Sequence, residues 1–457
     1  MDRFDVLVVG SGSGMNIAAA AAGRGLKTAV VESGQMGGTC LNRGCIPSKM
    51  LVYPADVVAI AEEARSLGVN TSITSVDFVK IMQRMQQLVS RDSTNQGGAV
   101  EADQNITWFK EVGEFISDYT MRVGDYTIRG DRIFIVSGAR PDVPPVKGLA
   151  DVGYLTSDTV LKLETQPRSI LIIGGGYIAA EYGHFFSSIG TSVTILQRGP
   201  RLLPAEEPEI SGLLKQEMSR KMNVLTNHEA IEAKENNSLK TIVAKNRETG
   251  QLNEFSAETL LVATGRVPNS DLLKPERTGV ELDERGYIKV NEYMETRKKS
   301  IWALGDAIGK QMFKHVANYE AEIAWHNSNH EHKAKVDYSA APHAVFTHPQ
   351  IASVGLKEAE AKQQGKKILV GLSHYKDTAL GSAMGEPKGF VKVIVEQDTD
   401  KLLGGHIIGP QASVMIQEIV NAMATGDKTF IPIARAMHIH PAMTEVVQRA
   451  FYNLHES

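Results

Sequence analysis

Two cysteines occur in the 457 residues, and both lie in one short segment, GGTCLNRGCIPSKM, as Cys40 and Cys45. A pair this close can be two buried small hydrophobes, half of a zinc site, or a redox disulfide. Zinc fits poorly, since no second cysteine pair completes four ligands and C-x4-C is not the usual ligand spacing. Stapling fits poorly too, because two cysteines cannot brace a large secreted chain. A redox disulfide fits better, under one geometric condition. In a regular helix, Cα atoms five residues apart are separated by roughly 8–9 Å, whereas a disulfide needs about 4.4–6.8 Å. The backbone must leave regular helix geometry there. Gly44 and Pro47 are expected to distort it, Pro47 having no N–H for the carbonyl of Arg43.

A second constellation, HIHPAMTE, lies near the C-terminal end of the sequence. His438 and His440 sit two apart, Pro441 fixes the backbone, and Glu445 stands five residues past His440. A metal reading of H-x-H lacks a third ligand nearby, so no metal site is expected.

Side chains of this kind act only if rigid elements hold them, and the surrounding sequence supplies such elements. DVLVV (5–9), the glycine turn GSGSGM and the alanine-rich stretch Ile17–Ala22 read as strand, turn and helix; a second strand, Lys27–Val31, ends at Glu32, 22 residues after Gly10. This is the spacing of a dinucleotide-binding βαβ unit. Gly10 makes the turn, Gly12 lets backbone N–H groups approach a pyrophosphate, the helix N-terminus stabilises its charge, and Glu32 accepts from a ribose hydroxyl. The third small position of the pattern falls on Met15. Gly14, just before it, is placed to relieve the crowding, which leaves the close helix–strand contact open.

A second such unit follows 164 residues later: strand Ser169–Ile173, then Gly174, Gly176 and Ala179 leading into a helix that ends near Gly190. The next strand, Ser192–Leu196, is followed by Gln197, Arg198 and, shortly after, Arg201. An NAD site ends this strand with an acid for the ribose diol, whereas an NADP site replaces the acid and adds arginine for the 2′-phosphate. NADPH is therefore the expected nicotinamide, with NADH the lesser alternative.

Composition places limits on the rest. Apolar residues make up 42% and charged residues 22%, an ordinary globular balance. The net charge of −4 gives no footprint for nucleic acid or anionic lipid. No stretch is expected to approach the roughly 18 apolar residues of a membrane span, and the sequence enters an apolar strand at once without a secretory signal, so a cytoplasmic setting is expected. The sequons at Asn105 and Asn236 read as background, Lys234–Arg247 as a solvated hairpin, LLGGHIIG (402–409) as a hairpin-like apolar pair, and Ser413–Gly426 as a long helix.

GGTCLNRGCIPSK resembles the active-site segment of the flavin-dependent pyridine nucleotide–disulfide oxidoreductases, the group containing glutathione reductase, dihydrolipoamide dehydrogenase, mercuric reductase and mycothione reductase. The resemblance covers essentially the whole chain. It implies that Cys45 is the flavin-facing thiol, which forms a charge-transfer complex with the oxidised ring, and that Cys40 is the interchange thiol. It also implies that Lys49 stands beside the flavin's reactive nitrogen, paired with Glu181. RIFIVSGAR (132–140), with Gly138 in its turn, and LLVATGRVPN (260–269), with Gly265, resemble the two crossovers between flavin and nicotinamide domains; IWALGDA (301–307) resembles the second flavin motif, ending in Asp306. Gly10, Gly12, Gly14, Glu32, Lys49, Gly138 and Asp306 are thus assigned to FAD, and Gly174, Gly176, Arg198, Arg201 and Gly265 to NAD(P). His440 and Glu445 match an acid–base dyad. The glutamate orients the imidazole, which exchanges protons with thiols of ordinary pKa near 8.5.

The implied fold is α/β, with two Rossmann-like dinucleotide-binding domains and a C-terminal α+β dimerisation domain. Boundaries are expected at 1–148 (FAD), 149–265 (NAD(P)), 266–335 (a central segment returning to the FAD domain) and 336–457 (dimerisation). The family dyad reaches the disulfide of the other subunit, so a homodimer with a shared active site is implied. PHAVFTHPQIASVG resembles the opening of the dimerisation domain. No cysteine follows Cys45, so the C-terminal thiol pairs of mercuric reductase and of large thioredoxin reductases are absent. GSGSGM, IAAEYGHFFSSIG, KHVANYEAEIAWHN and IHPAMTEVV together resemble mycothione reductases most, which implies reduction of a small-molecule disulfide. The alternatives are dihydrolipoamide dehydrogenase running with NAD, a flavin-dependent quinone or metal reductase, and a flavoprotein sensor without turnover.

Overall fold

DRFDVLVV becomes apolar on both faces from Val6 onward, the pattern of a strand covered on both sides. In the computed structural model, which describes residues 1–456, it forms β1 (Asp2–Val9), whose last four residues are buried. The chain turns at Gly10 (φ +107) into α1 (Gly14–Ala22) and returns through β2 (Thr28–Val31), parallel to β1 with Val9 opposite Val31. Two helices follow, α2 (Gly38–Asn42) and α3 (Cys45–Glu63), and then α4 (Phe78–Ala102). Strands β3 (Ile106–Phe109), β4 (Gly113–Ser117), β5 (Thr120–Val123) and β6 (Tyr126–Ile135) complete most of a sheet of order β3-β2-β1-β6-β5-β4. β7 (Ala139–Pro141) leaves it.

The next segment begins with the short helix α5 (Leu149–Val152), then β8 (Ser169–Ile173), α6 (Tyr177–Ser188), β9 (Ser192–Gln197), α7 (Pro208–Met218) and β10 (Asn223–Thr226). Strands β11 (His228–Asn236), β12 (Leu239–Asn246) and β13 (Leu252–Ala257) form a separate antiparallel sheet, and β14 (Thr259–Val262) closes the parallel sheet β10-β9-β8-β14. The charged stretch expected as a hairpin is β11–β12, turning at Asn237 and Ser238, both at positive φ.

β15 (Arg266–Pro268) pairs antiparallel with β7. After α8 (Ser270–Leu273), β16 (Ile301–Ala303) adds a parallel strand beside β6 in the first sheet, and α9 (Lys314–Asn329) packs along α1.

The C-terminal segment is one antiparallel sheet, order β17-β18-β21-β20-β19-β22, made of β17 (Pro342–Val345), β18 (Gln350–Gly355), β19 (Ile368–His374), β20 (Phe390–Glu396), β21 (Leu402–Gly409) and β22 (His455–Glu456). Helices α10 (Glu358–Gln363), α11 (Ala379–Ala383), α12 (Ala412–Met423), α13 (Ile431–Arg435) and α14 (Glu445–Tyr452) accompany it, α12 burying Ile416 and Ile419 in its core. LLGGHIIG is not a hairpin. It is the single strand β21, with Gly404 and Gly405 in mid-strand, where a Cβ on Gly404 would lie 2.0 Å from the carbonyl oxygen of Leu356. The two glycines admit a close backbone approach rather than a turn.

By their internal contacts the residues form two compact units. One comprises Met1–Ser48, Met82–Asp142 and Gly265–Val336; the other comprises Lys49–Ile81, Val143–Thr264 and the residues from Asp337 onward. One further expectation needs correcting. The helical run Gly38–Leu67 is long and apolar enough to pass as a membrane span, with mean hydropathy 1.2. It is nevertheless interrupted at Arg43 (φ −147) and carries Pro54 and the ion-paired Lys49 and Asp56, features of a broken helix on a folded protein.

Candidate active site

The cysteine segment folds as two short-circuited helices. Gly37 (φ +103) starts α2, and the amide of Asn42 clamps the turn by donating to the carbonyls of Met36 at 2.9 Å and Gly38 at 3.0 Å. Helix α2 stops at Arg43, and α3 starts at Cys45. The break is therefore made at Gly44, where a Cβ would lie 2.9 Å from Thr39 O. Pro47 does not break a helix. It lies in the first turn of α3, where no intrahelical N–H is required.

The two cysteines stand as thiols, hydrogen-bonded to each other. That bond and the negative charge on Cys45, together with burial, push the Cys40 thiol well up from its ordinary value, and Lys314 opposes the rise. The shift favours the protonated form of Cys40.

On α3, Lys49 follows Cys45 by one helical turn. Its Nζ donates to both carboxylate oxygens of Glu181 on α6, at 2.8 and 2.7 Å. Glu181 is buried and also accepts from the backbone N–H of Phe346 at 3.1 Å, and Lys49 Nζ lies 4.4 Å from the Phe346 ring centroid. A buried carboxylate accepting three hydrogen bonds, two of them from the ammonium, holds that ammonium in one place, as a proton-handling or electrostatic group requires. Phe346 was not foreseen. Nor were two further pairs on α3, Asp56 with His184 Nε2 at 2.8 Å and Glu63 with His348 Nε2 at 2.7 Å. A signal for them exists, because Lys49, Asp56 and Glu63 recur every seven residues and so share one helical face.

The two glycine loops have matching anatomy. A Cβ on Gly10 would lie 2.2 Å from Val136 O, and one on Gly174 would lie 2.2 Å from Ala263 O. Beside Gly12, Gly138, Gly176 and Gly265 there is open space where a side chain would otherwise stand. In the first loop, Glu32 accepts from Ser11 N at 3.1 Å, Ser11 Oγ at 2.9 Å and Gly34 N at 2.8 Å. Ser137 Oγ, next to this turn, is buried and has no protein partner. Asp306 lies three residues past β16, in the turn Gly305–Ile308 rather than on the strand, and burial pushes its carboxyl upward while Arg266, 3.6 Å away, opposes the shift. An orphaned hydroxyl, open glycine faces and a half-buried acid with an adjacent cation fit a dinucleotide such as FAD. Lys49, also assigned to FAD, falls in the second unit with Glu181.

In the second loop Gln197 lies against Gly175, whose Cβ would approach its side chain to 2.8 Å, and Gln197 Nε2 donates to Arg201 O at 3.1 Å. Arg198 is 71% exposed and only loosely paired with Glu229 at 3.9 Å. Gly265 (φ +136) belongs to the first unit, where its carbonyl accepts from Asp142 N at 2.9 Å.

His440 Nδ1 bonds Glu445 Oε1 at 2.9 Å, and Ala442 N donates to Oε2 at 3.1 Å. These contacts hold the Glu445 carboxyl below the usual carboxylate range. The imidazole is 68% exposed, and Met437 and Ile439 beside it are exposed as well. His438 pairs separately with Glu418 at 2.8 Å. Among the described residues no cluster of three or more ligating side chains could hold a metal ion.

Comparison with known proteins gives a consistent picture. The family model for pyridine nucleotide-disulphide oxidoreductases matches residues 4–321, and that for the dimerisation domain of the same family matches residues 341–451. Mycothione reductase of Mycobacterium tuberculosis is 36% identical over 99% of this chain and 100% of its own. Dihydrolipoyl dehydrogenase of Synechocystis is 35% identical over 98% of each. Among solved structures, the Cu(II) complex of the HOCl-induced flavoprotein disulfide reductase RclA from Escherichia coli superposes with a TM-score of 0.88 at 27% identity, covering 99% of both chains.

Proposed function

Because this chain belongs to the pyridine nucleotide–disulfide oxidoreductases, and is thus an FAD-dependent enzyme that uses a pyridine nucleotide, we propose that it is a reductase of a low-molecular-weight disulfide of the mycothione type, with NADPH as donor. The observation that carries this reading is the hydrogen-bonded thiol pair at the α2–α3 break. FAD, when bound, supplies the two-electron relay between the nicotinamide and the cysteines.

Two electrons and one proton convert the Cys40–Cys45 disulfide to a thiol at Cys40 and a thiolate at Cys45. His440, oriented by Glu445, takes the Cys40 proton as Cys40 attacks one sulfur of the external disulfide, and returns it to the departing thiolate. Cys45 then attacks Cys40 in the mixed disulfide, which expels the second product as a thiolate that takes a proton from solvent, and the pair is restored. The exposure of the dyad and of Met437 and Ile439 supports a homodimer in which each dyad serves the cysteines of the other subunit. Gln197, Arg198 and Arg201 support NADPH over NADH, since none of them repels a 2′-phosphate and two attract it. A cytoplasmic setting belongs to this reading, because a soluble nicotinamide has to reach the site.

The second reading is dihydrolipoyl dehydrogenase, favoured by the similarity to the Synechocystis enzyme but opposed by the missing acid at position 197. Anaerobic titration with NADPH, followed by mycothione, lipoamide, glutathione, coenzyme A and bacillithiol disulfides, separates the two. We expect a long-wavelength absorbance band on two-electron reduction, its loss in Cys45→Ser, and the fastest reoxidation by mycothione. Preference for lipoamide together with equal or better efficiency with NADH would overturn the proposal in favour of the second reading.

A further inference from the structure

Lys314 is the first residue of α9, and its Nζ donates to the hydroxyl of Ser13 at 3.1 Å. Ser13 is buried in the first glycine loop and donates in turn to Asn318 Oδ1 at 2.9 Å, where Asn16 Nδ2 also donates at 3.3 Å. The ammonium is therefore fastened to the loop rather than left to solvent. That loop touches the cysteine helix directly. A Cβ on Gly38 would lie 2.7 Å from Gly12 Cα, and Gly38 N donates to Ser11 Oγ at 3.2 Å. Lys314 thus stands across one glycine turn from α2, which carries Cys40.

Resting on the reading of Cys40 and Cys45 as a redox dithiol, we propose that Lys314 is a positioning residue of the redox centre: its ammonium, anchored on Ser13, supplies the fixed positive charge that keeps the reduced pair singly deprotonated and Cys40 ready to attack. The electrostatics agree in both directions. Burial lowers the proton affinity of Lys314 while the charges of Cys40 and Cys45 raise it, and Lys314 lowers Cys40 against the upward push of its neighbour. Other charged groups nearby are engaged elsewhere. Glu32 is turned to Ser11 and Gly34, and a carboxylate oxygen of Glu320 accepts from Gly305 N at 2.7 Å. Arg43, at the end of α2, is exposed. When two electrons break the S–S bond and one proton is taken up, the product carries one negative charge. As a cation, Lys314 offsets that charge.

The test uses the intact flavoprotein, reduced anaerobically with NADPH and alkylated with iodoacetamide from pH 5 to 9, with label on Cys40 and Cys45 read separately by mass spectrometry. For Lys314→Gln, which can still bond Ser13, the Cys40 profile should move up by about one pH unit, so that alkylation at pH 7 slows by about tenfold. Lys314→Arg should restore most of the rate. Superimposable profiles for wild type and Lys314→Gln would overturn the inference. So would equal slowing in the Gln and Arg variants, which would mark a purely structural role. If Lys314→Gln loses flavin or folds poorly, Lys314→Arg alone decides: a profile unlike wild type overturns the inference, and a wild-type profile supports it. Wild-type cysteines that alkylate equally before and after reduction would instead overturn the redox-dithiol reading itself.

Discussion

The two glycine loops share a backbone and differ in what they offer a ligand. At Gly10 and Gly174 the same positive φ and the same 2.2 Å approach to a carbonyl make each a turn that no side chain can enter. At the end of the second strand the likeness stops. Glu32 is locked by three donors of its own loop, whereas Gln197 lies against Gly175 and leaves Arg198 in solvent. The helix contact differs as well. The second loop uses Ala179, fully buried, while in the first the tight spot has moved to Gly14, where a Cβ would lie 2.7 Å from Val8 Cγ1. Met15, at the expected small position, packs against the core from its edge. The turn is fixed by sterics and so repeats; the ligand-facing residues are set by which phosphate and ribose must be held, and so they vary.

The likeness breaks first at the turns. Gly10→Ala and Gly174→Ala should each cost about 3 kcal/mol, from positive φ and backbone overlap. Gly10→Ala should purify without flavin, while Gly174→Ala should keep the flavin spectrum and lose nicotinamide binding. Flavin absorbance and thermal melting distinguish them, and a fully yellow Gly10→Ala protein would show that the turn is not needed. Next comes Glu32→Ala, which leaves two loop N–H groups unpaired; a loss of about 2 kcal/mol in flavin affinity is expected, measured by cofactor release in denaturant. Gln197→Glu should then make the second loop resemble the first, lowering kcat/KM for NADPH by about tenfold while raising it for NADH. No shift in the ratio would mean that position 197 does not read the ribose. Smallest is Gly14→Ala against Ala179→Gly, each about 1 kcal/mol by chemical denaturation, the first from crowding of Val8 and the second from helix propensity.

What could be read from the sequence was local. Strand, glycine turn and helix repeat on short periods, so both dinucleotide units emerged with the correct turn residues. The spacing of Cys40 and Cys45 allowed a pair only on condition that the helix between them breaks, and the structure makes that break and brings the two thiols into hydrogen-bond contact. LLGGHIIG was misread because two glycines look like a turn until the passing carbonyl of Leu356 is known. The partition at Gly44 rather than Pro47 depends on the contact with Thr39, and the Phe346 N–H on Glu181 depends on a residue 165 positions away. Lys314 was hidden for the same reason: its neighbours in space, Ser13 and the cysteines, lie some three hundred residues upstream. Such side chains follow no period, since only the packed sheet brings them together.

One feature of the first unit bears on how such a chain is edited. β7 and β15 pair with Arg140 opposite Val267, and Asp142 N donates to Gly265 O at 2.9 Å. The backbone leaves the unit and re-enters it through neighbouring residues, so everything from 143 to 264 is, for that unit, an insertion whose two ends are already joined. Closing the gap with a short turn would add almost no loop entropy. Exchanging the insertion for a homologous one would leave both ends in register. The segment also carries Glu181, the buried partner of Lys49, so a grafted insertion must present an acid at that position to keep the ammonium paired.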